Sequence, residues 1–110
     1  MAIRKLAVLA LLALAASVPS SAVNMSISSS WRPTSLGRYD CVLRAEDATR
    51  RAGFQYEMST VQESVFGERG AYASLIRCVP ERGMVFFVVA GPRDYEASAG
   101  RQALEDSFGY

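Results

Sequence analysis

The chain has 110 residues, of which 50% are hydrophobic and 21% charged, with a net charge of +1 and no histidine. That length allows one domain with a modest core, and near-neutrality gives no reason to expect a nucleic acid or an anionic membrane surface as partner. The lack of histidine excludes Ser-His-Asp triads, Cys-His pairs and histidine metal sites.

Met1 to Lys5 is short and basic, and Leu6 to Val18 is apolar apart from Ser17. Ser20-Ser21-Ala22 then offers small residues before a cut. This is the layout of a secretory signal peptide over residues 1–22, cleaved after Ala22. The apolar run is too short to span a bilayer, which takes about 20 helical residues. The expectation is an exported chain, periplasmic or secreted, with no membrane span once the leader is gone. Removing the leader takes away Arg4 and the only lysine, Lys5, leaving ten basic residues against eleven acidic. Lysine Schiff-base chemistry goes with it.

Residues 23–38 are polar and serine-rich, with Met25, Ile27 and Trp31 as the large apolar groups of the stretch before Arg32-Pro33. They read as a flexible lead-in or an edge strand ending near Trp31. Residues 39–110 read as a single α+β domain. Asp40 to Ala52 is its clearest helix, capped by Asp40 and closed by Gly53. Cys41, Ala45, Ala48 and Ala52 form a narrow stripe of small residues at helical spacing. Arg50-Arg51 reads as solvated surface.

From Phe54 to Phe66 the alternation of Phe54, Tyr56 and Met58 with Gln55, Glu57 and Ser59 predicts one half-buried strand. It carries an irregularity around Gln62-Glu63-Ser64. Gly67, Glu68, Arg69 and Gly70 read as a glycine-flanked hairpin loop. Tyr72 to Val79 and Met84 to Ala90 then form an antiparallel hairpin about a turn at Pro80-Glu81-Arg82-Gly83. The second of these, MVFFVVA, has the length and β-branched content of a buried strand. Asp94 caps a last helix from Tyr95 to about Phe108, with Ala97, Gly100, Leu104 and Phe108 on one face.

Two cysteines in an exported chain predict a Cys41–Cys78 disulfide. A redox or metal role is disfavoured, because there is no Cys-x-x-Cys and no histidine. The predicted fold is a two-layer α+β domain, a three- to four-stranded antiparallel sheet with two helices in the order (β)αβββα.

Chemistry is sparse. No P-loop, dinucleotide fingerprint or Gly-x-Ser-x-Gly elbow occurs, and no catalytic, cofactor-binding or metal-binding residues are assigned. Glu57 and Glu63 are the one carboxylate pair worth weighing for glycoside hydrolysis, with exposed strand glutamates as the simpler reading. Both faces of the Met84–Ala90 strand are apolar, so both need covering. With Cys78 turned toward the first helix, Leu75 and Val79 fall on the far face. An apolar patch of Leu75, Val79 and Phe87 is expected there, for a protein partner or for self-association, unless the last helix or Met25–Trp31 covers it.

Cys41 with its alanine-rich helix, Ala52-Gly53-Phe54, Val65 to Gly70, Ile76-Arg77-Cys78 and Phe87 to Pro92 resemble small exported bacterial proteins of uncharacterised function. The resemblance spans most of the chain after the leader. It implies a bacterial envelope protein with paired cysteines and carries over no catalytic residue. The expected function is therefore a non-enzymatic binding module of the envelope. The alternatives are a secreted inhibitor inserting the Gly67–Gly70 loop into an extracellular enzyme and, behind it, a carboxylate-based hydrolase.

Overall fold

A computed structural model describes residues 24–109; the expected leader lies outside the described residues. The elements are β1 (Ser26–Pro33), α1 (Arg38–Arg51), β2 (Tyr56–Val61), β3 (Ser64–Arg69), β4 (Tyr72–Val79), β5 (Met84–Gly91) and α2 (Asp94–Phe108). The strands form one antiparallel sheet of five, in the order β1-β5-β4-β3-β2. The fold class is the expected α+β, but the strand count of three to four and the order (β)αβββα are corrected to five strands in the order βαββββα.

Two local features account for the difference. The Phe54–Phe66 segment is two strands, because the chain reverses at Gln62-Glu63. Gln62 adopts φ 55°, a left-handed conformation that the sequence does not mark with glycine or asparagine. The serine-rich segment, in turn, pairs with β5 along its whole length, from Ser26 opposite Gly91 to Pro33 opposite Met84. Strand β1 is thus a full edge strand, and Pro33 is tolerated at its end.

Both helices lie on one face of the sheet, α1 against β3 and β4, α2 against β1 and β5, and they touch each other. The first begins at Arg38 after Gly37, two residues before the expected Asp40 cap, so Asp40 sits in the first turn. The second begins at Asp94 itself, after Arg93. In both helices the acidic groups complement the positive end of the helix dipole rather than capping it. The core between the layers is built from Val65, Ile76, Cys78, Val85, Phe87 and Val89 below and from Cys41, Ala45, Ala48, Ala97, Leu104 and Phe108 above. Phe54, from the loop after α1, completes it.

The small residues of α1 let it lie close to the sheet. There Cys41 reaches Cys78 of β4 and forms the disulfide, with a Cα–Cα distance of 6.2 Å. A bond of this kind indicates an oxidising, non-cytoplasmic location. Among the described residues no helix is long and apolar enough to cross a membrane.

Polar contacts fix α2 over the edge strand. The Arg101 guanidinium donates to Ser28 Oγ at 3.0 Å and to Ser30 Oγ at 3.3 Å and pairs with Glu105. Arg32 donates to the Glu105 carbonyl and lies over the rings of Phe87 and Phe108, at 5.2 and 5.7 Å from their centroids.

Tyr72 ties the start of β4 to the start of α2. Its hydroxyl donates to the Glu96 carboxylate and accepts the Arg93 N–H at 3.2 Å. Partial burial, and then the hydrogen-bonded Glu96 carboxylate, push the phenol above its usual value. A raised phenol stabilises the fold fully below the ordinary value of about 10 and loses that contribution as pH climbs through the raised one. Thermal melts should therefore fall more steeply above about pH 10 in the wild type than in Tyr72→Phe. Parallel curves would remove the tie.

Candidate interaction surface

Among the described residues nothing covers the sheet face away from the helices, and the register defines what it displays. One row across it reads Trp31, Phe86, Arg77, Ser64 and Val61, from β1 to β2. The next reads Ser29, Val88, Leu75, Phe66 and Ser59, and the third Ile27, Ala90, Ala73, Glu68 and Tyr56. Val79, Met84 and Pro33 form a shorter row beyond Trp31. Arg77 and Glu68 are the charged members of these rows. Arg77 donates to Ser64 Oγ at 2.9 Å, which holds its guanidinium over the sheet.

The expected patch is here in part. Leu75 and Val79 lie on this face and are half-buried among their neighbours. Phe87 does not; it is fully buried under the helices and meets the Phe108 ring edge-on at 5.5 Å. The correction follows from strand parity, since Phe87 pairs with Ile76 and so shares the face of Cys78. Phe86 and Val88 take its place on the open face.

The segment Met25–Trp31 does not cover the patch but widens it. Its alternation runs opposite to the usual rule. Ser26, Ser28 and Ser30 turn toward α2, where Arg101 binds two of them. Ile27 and Trp31 point outward, 69% and 56% exposed. An edge strand that shows water its largest apolar groups and turns its serines inward fits a face that is covered by something else. Met25, Ile27 and Trp31 share one parity in the sequence, and that spacing was the available signal. The serine content of the stretch hid it.

The other expected sites disperse. Gly67, Glu68 and Arg69 belong to β3, and only Gly70 lies in the two-residue turn to β4, so the expected four-residue loop does not protrude. Gly67 is buried because β3 passes beneath Phe54: a Cβ there would lie 2.0 Å from the Phe54 carbonyl oxygen. Arg69 folds back over the Phe54 ring at 4.5 Å and donates to the Ala52 carbonyl at 2.6 Å.

Glu63 is ion-paired with Arg38 at 3.0 Å, and Glu57 is exposed at a bulge in β2 with φ 48°. That bulge separates Tyr56, on the open face, from Met58, which packs against the core, so the two do not share the side expected of them. Arg50 and Arg51 are exposed, the latter paired with Asp47 at 2.9 Å. A cavity of about 200 Å³ lies beside Arg32, Leu36, Arg44 and Phe108, at the end of the sheet where β1 leads into α1. Compared with known proteins, the chain matches no family model and no curated relative.

Proposed function

We infer that this chain is an exported, non-enzymatic interaction module of the bacterial envelope, and that it binds a protein through the open face of its sheet. The observation that carries the reading is the outward alternation of β1, which places Ile27 and Trp31 on the same open face as Phe86, Val88 and Leu75. Exposed apolar area of this extent is costly for a soluble domain unless a partner covers it. The leader-like start and the disulfide support an envelope or extracellular setting. The absence of histidine and the separate surroundings of Glu57 and Glu63 support binding rather than turnover. The inhibitor reading has lost the protruding loop on which it rested.

The test is site-specific cross-linking in intact cells of the native host. A benzoylphenylalanine in place of Phe66 should capture protein in discrete products, whereas one in place of Tyr95, exposed on α2, should not. Adding Val88→Asp should reduce the Phe66 products by about ten-fold, since a carboxylate at the centre of an apolar contact must be desolvated. Equal capture from both positions, or none from Phe66, would end this reading.

A further inference from the structure

We propose that the open face is completed by a second copy of this chain, docked face to face about a two-fold axis along the row of Phe66, Leu75 and Val88. The proposal rests on the reading of that face as an interaction surface and names its occupant.

Three features argue for a second copy. The first is shape. A two-fold axis lying along the central row brings the two outer rows onto each other. In each strand the larger side chain then meets the smaller one: Phe86 lies over Ala90 of the other copy, Arg77 over Ala73, and Trp31 over Ile27. Residues on the axis meet their own equivalents, as an isologous contact requires.

The second is charge. Arg77 on β4 and Glu68 on β3 lie on opposite sides of the axis, in adjacent strands. The rotation therefore places each Arg77 about one strand spacing, ~4.8 Å, sideways from Glu68 of the other copy. Sheets packed about 10 Å apart are within reach of an arginine side chain. The two charged members of the facing rows thus become two symmetric ion pairs flanking an apolar centre. The third is area. Five strands at ~4.8 Å spacing and about 24 Å long give roughly 550 Å² per copy, or about 1,100 Å² in total. That clears the floor of about 1,000 Å² for a biological interface and falls just short of the roughly 1,200–2,000 Å² of a stably associated one, as a dimer that dissociates on dilution requires.

The experiment is sedimentation equilibrium of the chain purified after export, with charge-swapped variants. The wild type should be a dimer that dissociates on dilution, with Trp31 emission shifting to the red as it does so. Arg77→Glu and Glu68→Arg should each weaken association by about ten-fold or more, because each puts like charges together twice. The double variant Arg77→Glu with Glu68→Arg should recover to within about three-fold of the wild type. Circular dichroism of all four proteins should coincide, since both side chains lie on the surface.

A wild type that stays monomeric at millimolar concentration overturns the dimer. If Phe66 still captures a different protein in cells, the interaction-surface reading survives the dimer's failure; if it captures nothing, both fall. A monomer that instead binds phosphatidylcholine vesicles with a blue shift of Trp31 replaces the second copy with a lipid surface. A dimer indifferent to the charge swap overturns the docking geometry.

Discussion

Replacing both cysteines, Cys41→Ala with Cys78→Ala, should lower the unfolding free energy by about 4 kcal/mol. The bond joins residues 37 apart in sequence, and closing a loop of that length removes about this much chain entropy from the unfolded state. A domain of this size has a total stability of roughly 4–13 kcal/mol, so the variant should be marginal or unfolded near 37 °C. The architecture explains why little else compensates, the Arg38–Glu63 pair being largely exposed on its arginine side. The buried stripe of α1 is Cys41, Ala45, Ala48 and Thr49, small side chains that bury little apolar area. Its first turn is tied down chiefly by the disulfide. Urea unfolding of the oxidised and double-variant proteins checks the magnitude. Amide exchange should show the earliest opening at Arg38–Leu43. A loss below about 1 kcal/mol would mean that the helix is held by packing alone.

Phe54→Ala should be comparably damaging, at about 3–5 kcal/mol. Phe54 is fully buried and plugs the space where the end of α1, β3 and α2 converge. Its N–H donates to the Thr49 carbonyl at 2.9 Å, and the Arg69 guanidinium covers its ring. Two glycines make room for it. A Cβ at Gly100 would lie 3.1 Å from the ring tip, and one at Gly67 would lie 2.0 Å from the carbonyl oxygen.

The two glycine variants should respond differently to a smaller plug. Gly100→Ala should be milder in a Phe54→Leu background, because its obstacle is the side chain. Gly67→Ala should cost about 3 kcal/mol in either background, because its obstacle is backbone. Chemical denaturation of the four combinations measures this. Equal relief of both glycines would contradict the packing described.

The amino-acid sequence alone determined the class of the protein: an α+β unit with helices near residues 40–52 and 95–108, a central hairpin from Tyr72 to Ala90, and Cys41 paired with Cys78. These features are local or nearly so. Helical spacing of small residues, a β-branched run and turn residues at Pro80–Gly83 each act within a few positions, and two cysteines leave one pairing. Only the tertiary structure decided the rest. The turn at Gln62 carries no glycine, so the sequence showed an irregularity at Gln62-Glu63-Ser64 but not the reversal that splits one predicted strand into β2 and β3. The strand character of Ser26–Pro33 comes from pairing with β5, some sixty residues away in sequence. The composition of the open face follows from register, which puts Phe86 and Val88 beside Leu75 and sends Phe87 inward. A shift of one position reverses a strand, because successive side chains point to opposite sides. Which residues the molecule presents to a partner is therefore a property of five strands in register, not of any one stretch.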